Sequence, residues 1–168
     1  MKNPATFNIA AHGDREIVVT RVFDAPRRLV FDAYTKPELV RKWLLGPDSW
    51  SMPVCEIDLR AGGEFRYVWK NDKDGSEMGM GGTYSEIVTP ERIVVRETFD
   101  EAWYPGEAVD TIALTEQGGK TTLRQTILYN SRATRDAILK SPMRHGMAAS
   151  YDRLEKFLPS PGSETLSA

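Results

Sequence analysis

Two polar side chains interrupt strand faces that are otherwise apolar, and they are the first candidates for chemistry. Alternate residues of a strand share a face, so Glu97 lies in phase with Val95 and Phe99. Enclosure among apolar side chains would raise the pKa of the Glu97 carboxyl, which could then hold a polar ligand group or act as a base. The alternative that we favour from the sequence is a position at the rim of the sheet, where Glu97 meets water or an arginine. Gln125, between apolar residues of a later strand, is either a polar anchor inside a cavity or a solvent-facing residue at a strand end.

Aromatic and methionine side chains supply the apolar surface around these two polar groups. Three aromatic residues alternate along one predicted strand, and two methionines and a tyrosine follow at helical spacing near the C-terminus. The predicted ligand-binding residues are Phe65, Tyr67, Trp69, Val95, Glu97, Phe99, Gln125, Met143, Met147 and Tyr151. Core packing is the alternative for each apolar member of this set. Asp110, in phase with Ile112 and Leu114, is predicted to lie at the mouth of the cavity.

The usual catalytic and metal-binding motifs do not occur. Three glycines in the segment 79–82 are not followed by a helix, so they indicate a bend or bulge in a strand rather than a nucleotide-binding loop. His12 and His145 lie too far apart in the sequence for a zinc motif, and Cys55 is predicted to be a buried structural thiol. We therefore predict no catalytic residue, no metal and no cofactor.

The composition excludes several classes of function. A length of 168 residues fits one domain, and a formal net charge of -2 gives no basic surface for nucleic acid. One cysteine cannot form an internal disulfide, which favours a reducing compartment. The sequence has neither a secretory leader nor a run of about 20 apolar residues, so we predict a cytoplasmic protein that does not span a membrane.

Hydrophobic periodicity predicts one strand, two short helices, a long series of strands and a final helix. The helices begin near Pro26 and Pro37, which suit a first helical turn. The predicted strands are Glu16–Phe23, Met52–Leu59, Glu64–Lys70, Met78–Val88, Arg92–Phe99, Val109–Glu116 and Thr121–Tyr129. The final amphipathic helix is predicted over Ser131–Leu158, with a kink or break at Ser141-Pro142.

This order of elements predicts an α+β architecture. Short turns between consecutive strands make an antiparallel meander, and a sheet of this length must curl to bury its apolar face. The final helix would lie in the concavity and leave a cavity beneath it. We predict a single domain over residues 16–158, a weakly structured N-terminus over 1–15 and a disordered tail over 159–168.

Five segments together resemble a known family. They are RVFDAP at 21–26, KPEL at 36–39 leading to Trp43, DLRAGGEF at 58–65, GTYSEI at 82–87 and GMAASYDRL at 146–154. In this order they are similar to the activator of heat-shock protein 90 ATPase-like family, within the START-like SRPBCC superfamily. The resemblance implies a helix-grip fold, in which a curved antiparallel sheet wraps around a long C-terminal helix with a cavity between them. The family's eukaryotic co-chaperones carry an additional N-terminal domain, for which this chain has no room.

Three functional hypotheses follow from these features. The first is non-enzymatic binding of a small hydrophobic or amphipathic molecule in the cavity. The second is a protein-interaction module, either a homodimer or a chaperone contact, with Trp50, Trp103 and Tyr104 as surface anchors. The third is a cavity enzyme, such as a cyclase or hydrolase, that uses Glu97 as its acid or base.

Overall fold

Eight strands form a single antiparallel sheet within the residues that the computed structural model describes, which are 7–101, 104 and 106–159. The strands are β1 (Asn8–His12), β2 (Glu16–Phe23), β3 (Trp50–Ile57), β4 (Glu64–Asn71), β5 (Glu77–Val88), β6 (Arg92–Phe99), β7 (Ala108–Gln117) and β8 (Lys120–Leu128). Their order across the sheet is β1-β2-β8-β7-β6-β5-β4-β3. Consecutive strands from β3 to β8 are neighbours, which confirms the predicted antiparallel meander.

The predicted strand boundaries agree with the structure to within two residues, and those of β2 and β6 coincide. The sequence analysis did not predict β1, which pairs along its whole length with β2. The hydrophobic pattern of β1 is too short to predict a strand, because only Ile9 among its five residues is buried. Residues 160–168, most of the predicted disordered tail, lie outside the described residues.

Four helices complete the described part of the chain: α1 (Arg27–Thr35), α2 (Pro37–Trp43), α3 (Arg132–Lys140) and α4 (Met143–Phe157). The predicted break in the C-terminal helix is confirmed, since Ser141 and Pro142 separate α3 from α4. Ser131 caps α3, and its Oγ accepts a hydrogen bond of 3.1 Å from the Thr134 N–H. None of the described helices is both long enough and apolar enough to cross a bilayer. The helices and the curved sheet together make the α+β helix-grip fold that the sequence predicted.

The helices cover one face of the sheet. Trp43 is fully buried, and its Nε1 donates to the Ala33 carbonyl at 2.9 Å, which joins α2 to α1. The backbone of α4 lies closer to α2 than to any strand, whereas α1 and α3 each approach strands closely.

A buried arginine attaches the C-terminal half of α4 to the sheet. Arg21, in β2, is 1% exposed and shares the buried face of Val19. Its Nη1 donates to Asp152 Oδ1 at 3.0 Å, and its Nη2 donates to Glu155 Oε1 at 3.2 Å. The three charges fix where α4 crosses β2.

We predict that Arg21→Met lowers the free energy of unfolding by about 3–5 kcal/mol, because it leaves the buried Glu155 carboxylate without its cation. Urea denaturation followed by circular dichroism measures the loss. The matched control is Arg28→Met, whose partner Asp32 lies one turn along α1 and whose own side chain is 64% exposed. That pair should contribute about 0.5 kcal/mol or less. A loss for Arg21→Met no larger than that of the control would contradict a structural role for the buried charges.

Candidate functional site

A continuous line of polar groups crosses the interior between the helices and the sheet. Tyr34 Oη, on α1, donates to Tyr151 Oη, on α4, at 3.2 Å. Tyr151 Oη donates to Gln125 Oε1, on β8, at 2.6 Å. Gln125 Nε2 donates to Asp110 Oδ2, on β7, at 2.8 Å. The Asp110 carboxyl group is in turn hydrogen-bonded to that of Glu97, on β6. We call these five residues the polar line.

The last two members of the polar line form a carboxyl pair. The register of β6 and β7 places Glu97 opposite Ala108 and Val95 opposite Asp110, so the two acids are diagonal neighbours on one face of the sheet. Asp110 Oδ1 is buried and receives no hydrogen bond from an amide or hydroxyl of the described residues. A proton held between the two carboxyl groups is therefore the donor available to it.

Burial dominates the acid–base behaviour of the pair. Burial raises the pKa of Glu97 well above its usual value, and the charge of Asp110 raises it further. Burial also raises the pKa of Asp110, to about 6, although hydrogen bonds from Gln125 and Glu97 oppose the rise. Between these two pKa values the pair holds one proton and one negative charge.

No basic side chain of the described residues forms an ion pair with either carboxyl group. The two buried arginines are bound elsewhere. Arg21 binds α4, and Arg135 Nη1 donates to backbone carbonyls that include Glu16 O at 2.9 Å. The negative charge of the pair therefore has hydrogen-bond donors but no counter-ion within the described chain.

Three buried tyrosines lie within electrostatic range of Glu97. Tyr67, Tyr104 and Tyr129 are buried, and the charge of Glu97 adds to burial in raising the pKa of each phenol, that of Tyr104 to about 12. All three phenols are therefore neutral at physiological pH. The rings of Tyr104 and Tyr129 meet edge to face, with centroids 5.7 Å apart.

Aromatic rings line the sheet beside the polar line. The centroids of Phe65 and Tyr67 are 4.8 Å apart, and those of Tyr67 and Trp69 are 5.7 Å apart. Trp69 Nε1 donates to the Leu44 carbonyl at 2.7 Å, which attaches the segment after α2 to β4. This row confirms that the odd-numbered residues of β4 face inward.

A second aromatic group packs around Tyr151. The Tyr151 ring stacks on Trp43 at 6.0 Å and meets Phe23 edge to face at 5.9 Å. The helix–sheet space is thus densely packed at this level of α4. The Tyr151 hydroxyl points away from these rings, toward the side-chain amide of Gln125.

Burial decreases toward one end of the interior. Met143 and Met147, which precede Tyr151 on its helical stripe, are partly exposed, as are Glu97 and Phe99 near the end of β6. Arg21 contacts α4 beyond Tyr151, whereas Arg144, in the first turn of α4, donates from Nη2 to the Ile9 carbonyl of β1 at 2.9 Å. We call these four partly exposed residues, two on α4 and two on β6, the open end.

Two surface clefts lie on other parts of the sheet. One of about 230 Å³ is bordered by β4, β5 and the end of β6, and Phe99 is the only predicted site residue that lines it. The other, of about 430 Å³, follows the connection between β3 and β4. Neither cleft is lined by α4.

The structure brings together most of the polar groups that the sequence singled out. Gln125 is buried and hydrogen-bonded on both sides, in agreement with the interior alternative. Glu97 is partly exposed near the end of β6, as the rim alternative predicts, and it forms no ion pair with an arginine of the described residues; its carboxyl is bonded to that of Asp110. The prediction that Asp110 lies at the mouth is wrong, because it is 7% exposed and bonded to groups on both neighbouring strands. Tyr34 was missed as a member of the polar line, since its position predicts only helix packing.

Two of the three predicted surface anchors can be placed, and neither is exposed. Trp50 is partly buried, Tyr104 is buried, and Trp103 lies outside the described residues.

Cys55 is buried as predicted, and burial raises the pKa of its thiol to about 11. The glycine segment contains no bulge, because the irregularity in β5 falls after Tyr84. Instead, a Cβ on Gly82 would lie 2.2 Å from the Arg96 carbonyl, so glycine allows the strands to approach.

The carboxyl pair predicts an unusual pH dependence of stability. The folded-state pKa of Asp110, about 6, exceeds its ordinary value of 3.8. The stability gained by protonating Asp110 is therefore complete below pH 3.8 and is lost as pH rises through about 6. Asp110→Asn, which keeps an acceptor for Gln125 and cannot ionise, should gain up to about 3 kcal/mol relative to the natural protein between pH 4 and pH 8. Urea denaturation at several pH values measures this difference.

The control for this prediction is Asp136→Asn. Asp136 is about half exposed, and its bond with Arg135 lowers its pKa, so its contribution changes with pH in the opposite direction. A relative stability of Asp110→Asn that is flat or falls with rising pH would show that the pair is not held protonated.

Comparison with solved structures supports the fold over nearly the whole chain. A protein from Rhodobacter sphaeroides has a TM-score of 0.83 and 28% identity, covering 90% of this chain and 96% of its own. A protein from Chromobacterium violaceum has a TM-score of 0.75 and 29% identity, covering 84% and 95%. An AHSA1-like protein from Aeromonas hydrophila, at 15% identity, 84% and 92% coverage and a TM-score of 0.67, shares the fold. No curated protein matches the chain.

The sequence also matches one protein-family model. The model describes the activator of Hsp90 ATPase homolog 1-like proteins, and it matches residues 24–159. The match begins after β2, extends through α4, and includes all five members of the polar line. The resemblance predicted from five short segments is confirmed: the chain belongs to the family of activator of Hsp90 ATPase homolog 1-like proteins.

Proposed function

We propose that the protein binds a small amphipathic molecule between α4 and the sheet. The apolar part of the molecule lies among the aromatic side chains of β4 and the methionines of α4. Its polar head reaches the carboxyl pair. No reaction is required for this function.

The observation that carries the proposal is the polar line. Polar groups buried among aromatic side chains stabilise a fold little and cost free energy when they are incompletely bonded. Here five such groups from α1, α4 and three strands converge, and the line ends at Glu97, which is partly exposed at the open end. A few placed polar groups within an apolar wall are the usual composition of a small-molecule site.

The open end provides a route of entry. Met143 and Met147 are flexible side chains at the start of α4, and they occupy the part of its inner face that is partly exposed. Methionine can change rotamer at low cost and adapt to a guest. The other half of α4 is held by Arg21 and by the Tyr151 hydroxyl.

We predict that Met147→Trp weakens binding at least tenfold, because an indole at this position fills the space that an apolar guest needs. The probe is N-phenyl-1-naphthylamine, an uncharged dye whose fluorescence increases in apolar sites. Binding is measured by titration, with native mass spectrometry for stoichiometry. The thermal transition of the variant should change little, since Met147 is partly exposed.

The control is Val88→Trp, which adds the same ring at an exposed position, 40% accessible, at the far end of β5. It should bind the dye as the natural protein does. Absence of dye binding by the natural protein, or equal affinities for both variants and the natural protein, would remove the proposed site.

A cavity enzyme is a second candidate, and the carboxyl pair is the observation that favours it. Two adjacent acids with separated pKa values are the arrangement that supplies a general acid and a general base. Any activity found for the protein should then be lost in Glu97→Gln and retained in Glu86→Gln, which changes an exposed acid of β5. Equal activity of the two variants would exclude Glu97 from catalysis.

A chaperone contact has less support from the described residues. The family description names an ATPase activator, but no tryptophan or tyrosine of the described residues is exposed. Aromatic anchors are typical of interface hot spots. Co-purification of a chaperone ATPase with the tagged protein would restore this alternative.

A further inference from the structure

The carboxyl pair carries a negative charge for which the described chain supplies no counter-ion. Glu97 and Asp110 are bonded to each other, and Gln125 is the one amide donor to Asp110. The nearby arginines are committed to α4 and to backbone carbonyls. One buried oxygen, Asp110 Oδ1, lacks a donor other than the shared proton.

We propose that the molecule bound at this site is an organic cation, an amphiphile with a protonated amine head, and that anionic amphiphiles such as fatty acids are rejected. This inference rests on the proposed function, since it names the chemical class of the ligand at the same site. The head group would enter at the open end and donate its N–H groups to Glu97 and Asp110.

The energetic argument concerns the charge that accompanies each head group. An ammonium group brings the missing positive charge and several N–H donors, so it compensates the cost of burying the carboxylate. A carboxylate head would be placed against a like charge in a site of low polarity, with no arginine or lysine to neutralise it. A molecule with a neutral hydroxyl head should bind with an affinity between these two, because the hydroxyl can donate one hydrogen bond and carries no charge.

The aromatic surroundings favour the same class. Tyr67, Tyr104 and Tyr129 are near enough to Glu97 for its charge to affect their phenols. A cation held at Glu97 would thus be within electrostatic range of three aromatic side chains, and aromatic rings attract cations through the negative potential of their faces. The same rings offer no such attraction to an anion.

Three ten-carbon amphiphiles test the inference, because they share a chain and differ in charge. Decylamine, decanol and decanoate are titrated at pH 7.5, each below its micelle concentration, and the displacement of N-phenyl-1-naphthylamine is measured. We expect decylamine to bind at least tenfold more tightly than decanoate, with decanol between them.

Removing one of the two carboxyl groups should remove the preference for decylamine over decanoate. In Asp110→Asn and in Glu97→Gln, the ratio of decylamine to decanoate affinity should fall at least fivefold, while the affinity for decanol changes little. Glu86→Gln is the matched control, since it removes one negative charge at an exposed position of β5 where Arg92 is its partner. It should leave the ratio unchanged.

The natural protein provides a test that does not depend on variants folding. The affinity for decylamine should rise between pH 5 and pH 7.5 as the carboxyl pair loses a proton, while the affinity for decanol stays flat. The titratable groups within electrostatic range of the pair are, from α1, β4, the β6–β7 connection, the end of β8 and α4, Tyr34, Tyr67, Tyr104, Tyr129 and Tyr151. Burial keeps all five protonated in this range.

The outcomes separate the two proposals. If none of the three amphiphiles displaces the dye and the dye itself does not bind, the proposed function fails. If decanol binds but decanoate binds as tightly as decylamine, the site exists and the inference about its ligand is overturned. A tenfold preference for decylamine that is lost in the variants of the pair supports both.

Discussion

The hydrogen bond from Tyr151 to Gln125 is the interaction on which the interior depends. At 2.6 Å it connects the middle of α4 to a central strand, and it determines which face of the helix meets the sheet. Gln125 can accept this bond and still donate to Asp110, because its amide has both an acceptor and donors. One side chain thereby couples the position of the helix to the bonding of a buried carboxylate.

A second attachment explains why the interior differs along its length. Arg21 holds Asp152 and Glu155 in the last turns of α4, and Arg153 donates to the Trp43 carbonyl at 3.0 Å. The helix is thus fixed from Tyr151 to its C-terminal end. Its first turn is attached to the sheet by one hydrogen bond, from Arg144 Nη2 to the Ile9 carbonyl of β1 at 2.9 Å, and its first turns carry Met143 and Met147. The helix therefore combines a C-terminal half held by several charged groups with a first half that carries two partly exposed methionines.

Much of this fold could be predicted from local signals. Alternation predicted the inward face of β4, and the serine–proline step predicted the break between α3 and α4, because both features depend on adjacent residues. The carboxyl pair could not be predicted in the same way. Its existence depends on the register of β6 and β7, in which Glu97 faces Ala108 and so lies diagonal to Asp110. Each acid was recognised as an interruption of an apolar face, but their contact follows from a pairing that neither strand specifies alone.

The carboxyl pair is poorly explained as a device for stability. A buried acid with a raised pKa destabilises the fold at neutral pH, and apolar residues of similar size at both positions would avoid that cost. Sites where a sequence departs from the local rules of folding are often functional. Glu97 is partly exposed, so an incoming group could reach the pair through its carboxyl group. A cation there would supply the charge that the described part of the chain leaves uncompensated, and binding would then reduce the free-energy cost of keeping the pair inside the sheet.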